Sequence, residues 1–239
     1  MRIRVLGAAA GGGYPQWNCN HPNSRRARRG DPSAKQRTQS SIAVSADNIH
    51  WFLFNASPDL RQQIGENEVL HPSEGLRHSP IQGVVLTNAD VDHIAGLLNL
   101  RESQPLTLYG TGKVLQVLEA NSVFNVLNPK FVSRRSIMLD EPVDLARTDG
   151  SPSGLTLMPF GVPGKVALWL EGEKDKLDLA AVGEDTIALE VRSEEGGKFF
   201  YIPGCAAMTP ELADRIRMAL DRHLDGPRTR PRDFSHKEG

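Results

Sequence analysis

Asp90, Asp92 and His93 follow one another closely, directly after the apolar run Val84-Val85-Leu86 that ends at Thr87. Two carboxylates and an imidazole delivered by the end of a strand are a common way to hold a metal ion. Each of these groups needs a partner or water. A surface turn could supply the water, so a plain solvated loop is the alternative reading. Oxygen and imidazole donors with open positions suit iron or manganese as well as zinc. Asp92 and His93 are the expected ligands, and Asp90 is a ligand or a base beside them. Asn88 carries a neutral amide, a poor ligand beside carboxylates, and is expected to orient the ligands instead.

Other residues could add to this chemistry. Cys205 sits in Tyr201-Ile202-Pro203-Gly204-Cys205-Ala206; it is a further metal candidate, with a buried inert thiol as the alternative. Cys19 and His21 share the loop Trp17-Asn18-Cys19-Asn20-His21. Both ligate zinc in other settings, but two donors are too few for a structural zinc, which takes four. Ser57 and Asp59, in Asn55-Ala56-Ser57-Pro58-Asp59, either orient ligands or, for Asp59 the simpler expectation, cap a helix. The glycine-rich loop Gly7-Ala8-Ala9-Ala10-Gly11-Gly12-Gly13 has neither the Gly-Lys-Ser/Thr ending of a phosphate loop nor dinucleotide spacing. It reads as a loop whose backbone passes close to something.

These groups need a scaffold, and the pattern supplies one. Strands are expected at Ile3–Leu6, Ser41–Ser45, Trp51–Asn55, Ile81–Thr87, Leu106–Tyr109, Leu155–Phe160, Ala167–Leu170, Thr186–Arg192 and Lys198–Ile202. Ala46-Asp47-Asn48 should turn a hairpin between the second and third. Lys113–Glu119 has helical spacing, and Pro210–Leu220 is a helix capped by Thr209 with Pro210 at its first position. Two groups of strands, each with a helix outside, argue for a mixed α/β sandwich.

Composition sets bounds. The chain has 239 residues and a net charge of -1, so no global field favours nucleic acid or an anionic membrane. The Arg25-Arg26-Ala27-Arg28-Arg29 cluster is expected to be a solvated loop. No apolar stretch is long enough for a membrane span, and the N-terminus does not read as a signal peptide. Two cysteines make no disulfide framework, and a cytoplasmic location is expected.

Long and chemically odd strings carry a resemblance. They are Val5-Leu6-Gly7-Ala8-Ala9-Ala10-Gly11-Gly12-Gly13-Tyr14-Pro15-Gln16-Trp17-Asn18-Cys19-Asn20, Arg37-Thr38-Gln39-Ser40-Ser41, Asn55-Ala56-Ser57-Pro58-Asp59, Ala89-Asp90-Val91-Asp92-His93, Val162-Pro163-Gly164-Lys165-Val166 and Tyr201-Ile202-Pro203-Gly204-Cys205-Ala206. On these the chain resembles the coenzyme PQQ synthesis protein B family, metallo-β-lactamase-like proteins of the pyrroloquinoline quinone (PQQ) pathway. The resemblance implies an αββα sandwich. Against the superfamily signature His-x-His-x-Asp-His, Asn88 and Asp90 replace the two leading histidines. Gly204-Cys205 stands where a Gly-Asp pair would bridge two metals, and Gly161-Val162-Pro163-Gly164-Lys165 lacks the late histidine. A dinuclear zinc hydrolase is therefore disfavoured. The family's Cys-x-Cys-x-x-Cys loop is reduced here to Cys19, with His21 as a replacement. The family also continues beyond the Pro210 helix with further strands. Here the second half of the sandwich is expected to be incomplete, with a domain over 1–221 and a disordered or non-native tail over 222–239.

The resemblance implies a step in making PQQ from a peptide precursor containing Glu and Tyr, as metal-dependent oxygenation of the tyrosine part. The cofactor would be a divalent metal, iron ahead of zinc or manganese. The alternatives are a carrier moving PQQ or its precursor to the periplasm, and a metal-dependent hydrolase of the superfamily. The partner is a small-molecule or peptide-derived precursor, with no nucleic acid and no membrane span; a homo-oligomer is compatible with all three.

Overall fold

The computed structural model describes residues 1–164 and 182–224. The chain divides into two compact units, Met1–Ala207 and one that begins at Met208. The first unit holds two sheets. One contains β1 (Arg2–Gly7), β2 (Ser41–Ser45), β3 (Trp51–Phe54), β4 (Ile81–Val85), β5 (Leu106–Gly110) and β6 (Val132–Ser136), paired in that order. The other contains β7 (Val143–Ala146), β8 (Pro152–Pro163), β9 (Val182–Ser193) and β10 (Lys198–Tyr201), in the order β10-β9-β8-β7. The second unit is described as α5 (Pro210–Leu224) and its lead-in.

β1, β2 and β3 pair antiparallel, whereas β3 to β6 run parallel. Parallel neighbours need crossovers, and short helices supply them. These are α2 (Leu60–Gly65), α3 (Val91–Ile94) continued by a 3-10 turn over Ala95–Leu100, and α4 (Gly112–Ala120). Strand periodicity sends successive side chains to opposite faces, and the first sheet uses both. Ala43, Trp51, Leu53 and Val84 face one core with the helix residues Leu60, Ile94, Leu97, Val114 and Leu118. Ile42, Val44, Phe52, Phe54, Val85 and Tyr109 face the other, against Leu155, Leu157, Ile187, Leu189, Val191 and Tyr201 of the second sheet. The order is helices, sheet, sheet, with an apolar layer between each pair. Each fully buried large side chain contributes about 1.5–3 kcal/mol. Strands buried on both faces explain why Trp51-Phe52-Leu53-Phe54 is continuously apolar rather than alternating.

Most sequence expectations hold. The hairpin turns at Ala46–His50, and Thr209 Oγ1 accepts the Leu212 N–H at 3.3 Å to start α5; β4 leads through Asp90 into α3, so Asp92 and His93 lie on a short helix where a loop was expected. The strand expected at Ala167–Leu170 lies outside the described residues, as does the tail except for its first residues, which continue α5. The arginine cluster is a correction. It forms α1 (Pro22–Arg28), not a loop, and it is not merely solvated. Arg28 donates to the carbonyls of Gln16 and Cys19, and Arg26 pairs with Asp31 at 2.8 Å. Strands β6 and β7 were not expected.

Candidate metal centre

β4 stops at Val85, and the chain then crosses the rim of the sheet. Thr87 anchors this crossing. Its N–H donates to Asn55 Oδ1 at 2.9 Å, and its carbonyl accepts the Ile187 N–H of β9 at 2.9 Å. Asn55, fully buried with φ of 62°, donates back from Nδ2 to Thr87 Oγ1 at 2.9 Å. Both sheets are thus tied at the point where the acidic loop begins.

The loop closes on itself through Asn88. Asn88 Oδ1 accepts the Asp90 N–H at 3.0 Å and lies 2.5 Å from His93 Nδ1. His93 is 6% exposed and Asn88 5%. Burial pulls the His93 imidazole below its usual pKa, against the opposing influence of the Asp92 and Asp90 carboxylates. Asp90, Asp92, His93, Asn88 and Cys205 all line one cavity of about 520 Å³. The rest of its wall is small: Ala8, Ala9, Ala10, Gly11, Ser40, Gly164, Thr186, Gly204 and Ala206 share it with Pro203.

The glycine-rich loop finds its purpose here. A Cβ on Gly11 would stand 3.2 Å from Asp92 Oδ2, so the close approach inferred from the sequence is to the acidic loop itself. Cys205 comes from the turn after β10; it is exposed, and its thiol donates to the Ala207 carbonyl at 3.0 Å. The inert buried thiol is therefore not what this position holds.

Other candidates lie elsewhere. Ser57 is buried and bonds Gln63 Oε1 at 3.1 Å. Asp59 occupies the N-cap position of α2 but makes no cap bond. Instead its Oδ2 accepts the Gln39 backbone and side-chain N–H groups at 2.9 and 3.0 Å, while Gln39 Oε1 accepts the Gly12 N–H at 2.9 Å. Asp59 thus braces the glycine-rich wall, and the helix-cap expectation is corrected. It lines a second cleft of about 740 Å³ beside Tyr14, Arg37 and Thr38. In the Cys19 loop, Cys19 Sγ accepts from Ser24 Oγ at 3.1 Å and His21 Nδ1 caps α1 by accepting the Asn23 N–H. The Ser24 hydroxyl, the His21 backbone and Arg28 hold the Cys19 thiol below its usual pKa against a smaller opposing effect of burial.

Sequence reasoning missed Tyr201 and Ser40. Burial pushes the Tyr201 hydroxyl up to about 12, with Ser40 and Asn55 hydrogen bonds working against the rise and the Asp92 charge adding to it. A phenol therefore stands, uncharged at neutral pH, near the cavity wall at Ser40. Only its place at the end of β10, packed edge-on against Phe54, could have signalled it.

Donor chemistry here fits a divalent cation: an imidazole nitrogen, carboxylate oxygens and a thiol face one space. Among the described residues, however, no three His, Cys, Asp or Glu side chains gather into a ready set. The fit is that of an open site with most positions left to water or substrate.

Comparisons agree with this fold. Residues 50–236 match the model of the beta-lactamase superfamily domain. Coenzyme PQQ synthesis protein B of Gluconacetobacter diazotrophicus is 54% identical over 93% of this chain, which spans 72% of that protein. Its counterpart in Xanthomonas oryzae pv. oryzae is 50% identical over 95% of this chain and 73% of that protein. The crystal structure of Zn²⁺-bound PqqB from Methylobacterium extorquens superposes with a TM-score of 0.84 at 49% identity, covering 90% of this chain and 69% of that one. With the fold, the rim loop and these relatives in accord, the chain belongs to the coenzyme PQQ synthesis protein B family of the beta-lactamase superfamily.

Proposed function

We propose that this chain carries out a divalent-metal-dependent oxygenation of the tyrosine part of a peptide-derived precursor in PQQ synthesis. The observation that carries the reading is the cavity itself. Asp92 and His93 meet a wall of alanines and glycines that leaves room for a ring. Asn88 and Asp90 in place of the superfamily's leading histidines exchange two imidazole donors of a two-metal hydrolase for an amide and a carboxylate.

Asp92 and His93 would hold the cation, and Asp90 stands beside them as a ligand or a base. Iron suits this donor set when oxygen must react, and the Zn²⁺ bound by the solved relative from Methylobacterium extorquens supports a divalent ion. When bound, the cation supplies Lewis acidity and, for iron or manganese, electrons for reaction with oxygen. The chain's own residues do the rest. Burial lowers the His93 pKa, which favours the uncharged ring whose lone pair a cation needs. Ala8–Gly11 forms one side of the cavity, and the Tyr201 hydroxyl stays protonated near Ser40, which lines it. Two unpaired cysteines accord with a reducing cytoplasm.

The test is turnover of a Glu- and Tyr-containing peptide, or its cross-linked amino-acid product, in air with added ferrous iron. Oxygen uptake with incorporation of oxygen into the tyrosine ring is expected. Cleavage without oxygen would assign a hydrolase, and tight binding without turnover a carrier; either result overturns the proposal.

A further inference from the structure

Asn88 accepts two hydrogen bonds on one oxygen, and that fact fixes a proton. A backbone N–H is always a donor, so the atom of the Asn88 amide that faces Asp90 N at 3.0 Å must be oxygen. The same oxygen faces His93 Nδ1 at 2.5 Å. An amide oxygen cannot donate, so Nδ1 must carry the hydrogen. In neutral His93 the proton on Nδ1 leaves the lone pair on Nε2. Nε2 makes no hydrogen bond to any of the described residues, and the ring lines the cavity. Both residues are buried, so water does not compete for the Nδ1 proton.

We propose that Asn88 is a positioning residue: its oxygen, pinned by the Asp90 N–H, locks His93 as the Nδ1–H tautomer and directs the Nε2 lone pair to a cation or substrate. A position where the superfamily signature has a metal-ligating histidine has here become the group that orients another histidine. The inference rests on the reading of His93 as a ligand. The tautomer can be read on the metal-free chain, so the two readings fail separately.

The experiment is long-range ¹H–¹⁵N correlation of ¹⁵N-histidine-labelled, metal-free protein above the His93 titration range, with His93→Gln to assign the signal. Wild type should show His93 protonated on Nδ1. Asn88→Ala should give a mixture or the Nε2–H form, and Asn88→Asp should restore Nδ1–H, because a carboxylate oxygen still accepts from both donors. Titration with Zn²⁺ alone should be about 10–100-fold weaker for Asn88→Ala, the usual loss when a residue that orients a ligand is removed. A wild-type His93 protonated on Nε2 overturns the proposal, and this is readable even where a variant fails to fold. So does an Asn88→Ala protein with unchanged tautomer. A changed tautomer with unchanged zinc affinity supports the positioning and sinks the ligand reading.

Discussion

The His93 carbonyl accepts the Ala56 N–H at 2.7 Å, and one turn later the Ala56 carbonyl accepts the Gly96 N–H at 2.9 Å. The turn after β3 and the helical segment carrying the metal candidates are thus clamped backbone to backbone. Gly96 permits this. A Cβ there would lie 2.1 Å from the Ser57 oxygen and 2.8 Å from Ala56 backbone atoms, and backbone has nowhere to go in a close-packed interior. Gly96→Ala should therefore cost ~1–3 kcal/mol or more and weaken zinc binding by displacing His93. Urea unfolding and zinc titration check both, and a variant with wild-type midpoint and affinity would show the clamp to be loose.

Asn55 separates backbone strain from hydrogen bonding. Its φ of 62° costs a non-glycine residue ~1–2 kcal/mol, and its side chain satisfies the Thr87 N–H. Asn55→Ala loses the bonds and retains the strain. Asn55→Gly loses the bonds but relieves it. Both should be less stable than wild type, with the glycine variant ahead of alanine by about 1 kcal/mol in denaturant titrations. Alanine equal to or better than glycine would mean that the turn can relax.

The β2–β3 turn should be sensitive to acid. Asp47 Oδ1 accepts from Ser45 Oγ and from the Ile49 and His50 N–H groups, while Oδ2 meets His50 Nδ1 at 2.6 Å and Arg147 Nη2 at 3.1 Å. Burial raises its pKa, but the His50 side chain and these other hydrogen bonds outweigh it and leave the carboxyl well below the ordinary value of 3.8. A depressed folded pKa means that the unfolded chain takes up the proton first. The stabilisation is therefore complete above about pH 5 and is lost as pH falls through and below 3.8. Thermal melts of wild type and Asp47→Asn should differ by a constant amount near neutrality and converge on acidification. A difference that grows toward low pH would contradict the assignment.

What the sequence discloses follows from what is local. Val84–Thr87 ending in acidic residues, and Thr209-Pro210 opening a helix, carry their signals within a few positions. β6 does not: it reads Val132-Ser133-Arg134-Arg135-Ser136 and buries only Val132, so an edge strand leaves no period to detect. α1 is concealed because its exposed arginines resemble a solvated loop, although Arg28 reaches loop carbonyls. Within the site, Asp90, Asp92 and His93 are close in sequence and legible as one group, although Asp92 and His93 sit on α3 and not in a loop. That Gly11 backs Asp92, and that Ser40 and Tyr201 stand close by, depends on β1, β2 and β10 meeting at one rim, which no local pattern encodes.

Metal affinity should rank the donors in an order set by burial and engagement. His93 offers the cavity its Nε2, and removing the imidazole leaves, among the described residues that line it, oxygen donors and an exposed thiol. His93→Ala should lower affinity for Zn²⁺ or, under anaerobic conditions, Fe²⁺ by about 100-fold or more, since imidazole is the strongest neutral donor present. Asp92 lies against Gly11, with its carboxylate free of hydrogen bonds to the described residues, so Asp92→Asn should cost about 10-fold. Cys205 is exposed and already donates to the Ala207 carbonyl, and Cys205→Ser should change affinity by less than about 3-fold. Calorimetric titration of the four proteins, with complementation of a strain lacking the family member alongside, tests the ranking. Equal binding by wild type and His93→Ala would move the metal away from this cavity. A Cys205→Ser protein weaker than Asp92→Asn would shift the centre toward the Gly204-Cys205 turn and away from the acidic loop.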